Sequence, residues 1–576
     1  MAGCDRTQHA GVLRLAVAPV ENLSSDAQFD WRSRAAAAVV VYDLAGAKNI
    51  FARQVESLSA AQSMHASRML EGYFVERNGR ISLRARLENL DNSKTAQNFD
   101  IEGASAAGFL PLVNELARRI SPDSRSFGTR NENAFRWYGQ ALQASDSRMA
   151  EQALESAREA DPAFITAYVD EAKLLAETGD RAKAQSVVEL GERVNPDAID
   201  RANLEYTRAV AGSDARERFK ALEALSKANP ASATLAAEVA QMRFARRQYQ
   251  QAAIEYRAAA ELDPDDPKTW NELGYALART GDLGGAREAI GQYQRLAPGD
   301  LNALDSEGEV NYFLGDFKAA DEAFERAAAK NPAEWVKAAE AQLMLGNLNK
   351  ADALFTRRWA GASRSGRAEF PMAQWEVLTG RRQAGMARLE KLLPALNGDQ
   401  RSLVLDQLAI WRIEGGDSKA ARELAGEAAA SAQGPQVRAF TGMVQFIVSG
   451  GASLNIAGVN NAAGGTKLAN AVALLVAKKF SDAVPLLQSI YSEINPAADG
   501  QVRTLLAWAY VETGAADKAA SLIDPYVLPL ESGEQMFASL IFPRYLFVRG
   551  KVLERQGKRD EAGRMLALYS KYGGVD

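Results

Sequence analysis

Apolar and polar positions follow two different rhythms along this chain. From residue 13 to about 101 the apolar positions alternate with polar ones over short runs, which is the two-residue period of a half-buried strand. Residues 13–20, Leu-Arg-Leu-Ala-Val-Ala-Pro-Val, predict a first strand, and the turn residues of 21–26 follow it. A helix is predicted over 31–44, a strand over 50–55 and a helix over 60–70. A meander of strands at 71–75, 81–90 and 95–101 comes next, with turns at Asn78-Gly79 and Asp91-Asn92. A helix over 106–120 completes a small α/β domain at 11–120. Residues 121–132, with Pro122, Gly128 and several charges, read as a linker.

From about residue 133 the rhythm changes to three- and four-residue steps, the signature of one buried helix face. Six prolines, Pro162, Pro196, Pro230, Pro264, Pro298 and Pro332, stand 34 residues apart. Proline lacks the N–H that continues a helix, so each one closes a unit of two helices. Twelve residues before the closing proline stand Ala150, Ala184, Ala252, Ala286 and Ala320, with Arg218 as the misfit. Small residues there let two helices cross closely. One unit alone would leave an apolar stripe exposed, and stacking buries it.

The unit closed by Pro298 carries Trp270, Leu273, Gly274, Gly281, Leu283 and Ala286. The next carries Gly308, Gly315, Phe317, Ala320, Phe324, Ala327 and Pro332, and the preceding one Ala240, Tyr249, Ala252, Tyr256 and Pro264. These residues resemble the tetratricopeptide repeat (TPR) family. Looser units follow at Trp335, Gly346 and Phe355; Trp375, Gly380 and Leu389; Trp411, Gly416 and Ala421; Phe480, Ala483 and Leu487; Trp508, Gly514 and Ala519; and Tyr545, Gly557 and Ala562. The fold class implied is mainly α. About twelve hairpins over 133–576 would form a right-handed α-α superhelix (solenoid) with a concave groove, preceded by the small α/β domain. A glycine- and asparagine-rich insertion, 449–466, interrupts the array.

The N-terminal domain resembles that of TolB and its relatives. The likeness lies in Val17-Ala18-Pro19-Val20-Glu21-Asn22-Leu23-Ser24, Leu70-Glu71-Gly72 and Asn78-Gly79-Arg80-Ile81-Ser82-Leu83-Arg84-Ala85-Arg86-Leu87. Where the relatives enter their first helix through an acidic residue and a glycine, this chain has Gln28-Phe29-Asp30-Trp31. The resemblance implies a binding or sensing module rather than a catalyst.

Composition narrows the chemistry. Hydrophobic residues make up 47% of the 576 residues and charged residues 24%, ordinary values for a folded chain. A net charge of -5 leaves no basic footprint for nucleic acid. The one cysteine, Cys4, and the two histidines, His9 and His65, stand near the N-terminus. No intramolecular disulfide can form, and the helical region has neither a Cys/His zinc set nor an imidazole for a nucleophilic relay. No cofactor or metal is expected. Gly464-Gly465-Thr466-Lys467 misses the phosphate loop because Thr466 separates glycine from lysine. Gly361-Ala362-Ser363-Arg364-Ser365 misses the nucleophile elbow because its fifth residue is not glycine.

Met1-Ala2-Gly3-Cys4 resembles the end of a bacterial lipoprotein signal, which implies a tether at 1–10 with lipidation at Cys4. No run of about 20 apolar residues is present, so membrane association would come through that anchor. The TPR register places Asn271, Tyr275, Arg279, Asn302, Asp305, Glu309 and Tyr312 on the concave side of first helices, where they suit an extended peptide. The acidic Asp305 and Glu309 argue against a clamp for a partner's C-terminal carboxylate. The reading is therefore a non-enzymatic scaffold of the cell envelope, on the periplasmic side, that holds a partner protein or peptide. One alternative is a cytoplasmic signalling or transcription regulator using the same modules. Another is an enzyme with a site between the two domains, which the scarcity of histidine and cysteine disfavours.

Overall fold

The computed structural model describes residues 13–573 except 25, 46, 48–49, 64–65, 91–93, 213, 361–367, 452–462, 494–499 and 532–534. Cys4, His9, His65 and the 361–365 run lie outside these, as does most of the expected insertion. The chain is 71% helical, with 28 α-helices among the described residues. It divides into two compact units, one of Met1–Met242 with Gln251–Glu272, the other of Arg243–Gln250 with Leu273–Asp576.

The first unit begins with a six-stranded sheet: β1 (Leu13–Val17), β2 (Glu21–Asn22), β3 (Ile50–Gln54), β4 (Arg68–Arg77), β5 (Arg80–Asn89) and β6 (Lys94–Ala104). The order is β3-β1-β4-β5-β6, with β2 beside β4. β1 runs parallel to both neighbours, while β4, β5 and β6 form an antiparallel meander. In β5 the alternation does its expected sorting. Ile81, Leu83, Ala85 and Leu87 are buried, and the arginines between them face outward. Arg84 pairs with Asp100 and Arg86 with Glu71 on that outer face. Asn78 (φ 52°) and Gly79 (φ 73°) make the tight turn joining β4 to β5, a backbone that these two residue types tolerate.

Two expectations need correction in this unit. The helix predicted over 60–70 is only Leu58–Ser63, because Arg68, Met69 and Leu70 pair with β1 as the start of a ten-residue strand. The 121–132 stretch is no loose linker. Phe127 is buried, and its ring packs on Tyr42, Phe135, Tyr138 and Phe164. Glu132 already belongs to helix Glu132–Gln143, and its carboxylate accepts from the amide of Phe109, at the entry to helix Leu110–Ile120, at 2.9 Å.

The repeats owe their shape to a recurring local device. Gly281 (φ 82°) and Gly315 (φ 81°) end first helices in the left-handed conformation that glycine adopts at little cost. Asp282 and Asp316 then cap the second helices, accepting from the amides of Gly285 and Ala319. Most of the alanine column sits where expected, with Ala184, Ala252, Ala286 and Ala320 fully buried, whereas Ala150 is half-buried and Arg218 is exposed. The Gly464-Gly465-Thr466-Lys467 run lies in helix Ala463–Val476, so that helix starts inside the segment expected to be loop. In the second unit, helix Ala516–Ala520 stops after five residues.

Candidate functional site

The second unit contains six of the seven residues assigned to the groove, and Asn271 falls in the first. Tyr275, on helix Pro267–Thr280, donates to Glu309 at 2.7 Å. Burial, together with the Glu309 carboxylate, holds its hydroxyl protonated far above the ordinary tyrosine range. Lys337, on helix Trp335–Met344, donates to both oxygens of Asp305 at 2.8 Å and also to Glu309. Burial alone would lower the ammonium's pKa, but the two carboxylates outweigh it and raise it. The negative charge that the sequence placed in the groove is thus offset in part within three successive first helices.

Arg279 and Tyr312 do meet a stretch of peptide, and it belongs to the same chain, an irregular run that enters a 3-10 turn at Pro529. Residues 521–530, Ser-Leu-Ile-Asp-Pro-Tyr-Val-Leu-Pro-Leu, run along these helices. Tyr312 donates to the Val527 carbonyl at 3.1 Å, and the Leu530 amide donates to Glu340 at 2.6 Å. The Tyr526 ring meets Phe317 edge-on at 5.0 Å and lies over Gly315, where a Cβ would stand 2.6 Å from it. Behind the segment, Tyr545 donates to the Pro525 carbonyl at 2.7 Å.

At the head of the segment, Asp524 is buried among arginines. Arg247 donates to it at 2.5 Å and Arg503 at 3.1 Å, and Arg279 Nη1 stands 3.7 Å away while its guanidinium lies over Phe313 at 3.8 Å. Burial pushes the Asp524 carboxyl upward, but Arg279, Arg503 and Arg247 overcome it and hold the pKa below the usual range. Arg247 and Arg503 also donate to the carbonyls of Ser521 and Leu522, so backbone and side chain are gripped together.

The expectation that these side chains project toward a ligand in the groove therefore needs correction at Tyr275, Asn302, Asp305, Glu309 and Tyr312. Tyr312 has no exposed surface, Tyr275 is spent on Glu309, and Asp305 and Glu309 are spent on Lys337. Asn302 turns to Tyr293, donating to its hydroxyl at 2.8 Å. Residues the register did not select, Arg247, Arg503, Phe317 and Glu340, join Arg279 and Tyr312 in holding the segment, and the held Asp524 was not selected either. In sequence they had one local signal, a lone acid beside Pro525 in an otherwise apolar run.

The first unit offers a different concavity beside β3. A cavity of about 470 Å³ is lined by Arg14, Phe51, Arg53, Tyr256, Lys268 and Glu272 among others. Arg14 pairs with Asp263 at its wall, and the buried Tyr256 hydroxyl has no hydrogen-bond partner among the described residues.

A family model described as TPR repeat matches residues 240–281. TPR repeat-containing protein PA4667 of Pseudomonas aeruginosa is 27% identical over 195 residues, 32% of this chain and 33% of that protein. The match thus spans a third of that relative's length. Two solved structures are similar at a distance. "Structure of Naa15/Naa10 bound to HypK-THB" aligns over 77% of this chain and 76% of that one, at 13% identity and a TM-score of 0.32. A tetratricopeptide repeat protein from Parabacteroides merdae aligns over 55% of this chain and 99% of that one, at 10% identity and a TM-score of 0.27. The chain carries tetratricopeptide repeats in a TPR-like solenoid, with a small mixed-sheet domain before them.

Proposed function

We propose that the chain is a non-enzymatic scaffold of the bacterial cell envelope whose repeats hold a partner protein or peptide. The observation that carries this reading is segment 521–530, irregular backbone that enters a 3-10 turn at Pro529, held by side chains of the repeats through carbonyls, an amide and one carboxylate. That mode of recognition reads mainly the backbone and tolerates variety in the bound sequence, with specificity left to the acid and the aromatic ring. The N-terminal sheet is read as a TolB-like module, supported by the residues from Val17 to Ser24 and the Asn78-Gly79 hairpin. No helix among the described residues is long and apolar enough to cross a membrane. Attachment is assigned to acylation of Cys4, since several acyl chains at about 0.8 kcal/mol per buried CH₂ anchor a protein firmly.

Two measurements test this. Expressed from its full native gene, the protein partitions with membranes, and Cys4→Ser releases it; unchanged partitioning of the serine variant refutes the anchor. Cross-linking in cells followed by purification of the full chain recovers one stoichiometric partner. Its absence under conditions where the protein is abundant and folded refutes the scaffold.

A further inference from the structure

The second helices of neighbouring repeats run for 12 residues at Phe317–Ala328 and Leu348–Trp359 and 14 at Ser418–Ser431, yet Ala516–Ala520 has five. Pro525 and Pro529 bar a longer helix, because each lacks an N–H and biases the residue before it toward extended backbone. The unit has thus exchanged most of a helix for a length of irregular chain that ends in a 3-10 turn at Pro529–Glu531. The repeats grip that length mainly through groups every peptide carries: the carbonyls of Ser521, Leu522 and Val527 and the amide of Leu530. Its sequence is read at two points, Asp524 and Tyr526.

Charge at the first point is unbalanced. One carboxylate faces three guanidiniums, and among the described residues Arg503 Nε and Arg279 Nε and Nη1 are buried with no hydrogen-bond acceptor. Arg503 is 8% exposed, so water does little for it. Three arginines exceed what a single aspartate satisfies, and they offer donors that a further acidic group would use.

We propose that Arg247, Arg279 and Arg503, with Tyr312 and Glu340, form a receptor for a non-helical acidic peptide with an aromatic residue two positions after its acid, and that residues 521–530 fill it in cis. This deepens the scaffold reading and rests on it. A tethered occupant competes at a high effective concentration, so a partner in trans binds the wild-type chain only at the fraction of time the site is vacant. Loosening the occupant exposes the receptor.

The test uses the full chain and a fluorescein-labelled synthetic peptide with the sequence of residues 521–530, read by fluorescence anisotropy. Asp524→Asn removes the charge that holds the cis segment, and it is expected to raise trans affinity at least tenfold over wild type. Adding Arg279→Ala is expected to reverse that gain, and a peptide with asparagine in place of its aspartate is expected to bind at least tenfold more weakly. Hydrogen exchange on the wild-type chain decides the matter even if the variant fails to fold. The amides of 521–530 should exchange faster than those of helix Leu301–Phe313, and faster still with excess peptide. Exchange as slow as that helix and unmoved by peptide, or a folded Asp524→Asn chain that does not bind, overturns the proposal. A cellular partner recovered equally by wild type and Asp524→Asn, with no peptide binding, overturns the cis occupant and leaves the scaffold standing. Peptide binding with no cellular partner does the reverse.

Discussion

Asp406→Asn should stabilise the second unit at pH 8 and leave it nearly unchanged at pH 5. Asp406 lies in helix Gly398–Glu414 with no exposed surface. Its Oδ2 accepts from Thr441 at 2.6 Å, Thr441 shares a hydrogen bond with Ser402 at 3.0 Å, and Oδ1 has no partner among the described residues. Burial pushes the carboxyl from its ordinary 3.8 up to about 7, and the Thr441 hydrogen bond draws it back only in part. The unfolded chain loses this proton near pH 4, whereas the folded chain keeps it to about pH 7. Between those values the native state binds the extra proton, so stability falls as pH rises and the full penalty applies above pH 7. Roughly three pKa units at about 1.4 kcal/mol each give about 4 kcal/mol. Asparagine keeps the shape without the charge, but its amide N–H groups lack an acceptor at the Oδ1 position, which costs about 1 to 2 kcal/mol. The net gain at pH 8 is about 2 to 3 kcal/mol, and at pH 5, where only about a third of the penalty has developed, it is near zero. Thermal melts followed by circular dichroism at the two pH values read the difference. Repeat arrays need not melt in one step, so the same transition is compared in both proteins. An equal shift at the two pH values, or no shift, would refute the claim that this carboxyl is buried neutral.

Gly308→Ala should destabilise the chain by about 1 to 3 kcal/mol through overpacking, because the new Cβ would stand 2.4 Å from the fully buried Phe324 ring. Gly291→Ala, in helix Leu283–Leu296 with open space around it, should instead gain up to about 1 kcal/mol; opposite signs in denaturant titrations check the pair. Lys337→Met leaves the half-buried carboxylates of Asp305 and Glu309 without their shared cation and should cost about 1 to 3 kcal/mol at neutral pH; a melting point that ignores the change would sink this. Tyr312→Phe leaves the Val527 carbonyl without its donor, a loss of about 1 to 2 kcal/mol that hydrogen exchange should register first in residues 521–530.

How much of this was legible in the sequence depends on how far apart the partners lie. The 34-residue period, the alanine column and the glycines ending first helices are local signals, and they position each helix pair without outside help. The β4–β5 hairpin was legible for the same reason, since Asn78 and Gly79 fix a turn and the alternation of β5 fixes its buried face. The strand character of Arg68 to Leu70 was not, because it depends on pairing with β1 more than fifty residues earlier. Phe127 gives the same lesson from the other side: proline, glycine and charges spelled a linker around it, and one aromatic residue among four rings makes the stretch part of a core.

The groove shows a sharper limit. The register correctly put Tyr275, Asp305 and Glu309 on neighbouring first helices, but the cation that unites them, Lys337, comes from the next repeat. The occupant lies farther off still, with 215 residues between Tyr312 and Val527 and 277 between Arg247 and Asp524. Yet the need for an occupant's partners was written locally. Asp524 is the one charged residue in the apolar run from Leu522 to Leu530, flanked by a proline that ends helical geometry. A carboxylate in such a run is either left in water, dragging apolar neighbours with it, or buried against cations that offset its lost hydration. The apolar run makes burial the favourable branch, and burial in turn demands arginine or lysine from elsewhere in the chain. Sequence supplies that demand but cannot choose among 68 lysines and arginines to meet it. The stacking of the repeats makes the choice, by bringing the ends of helices Pro267–Thr280 and Gly500–Glu512 to one carboxylate.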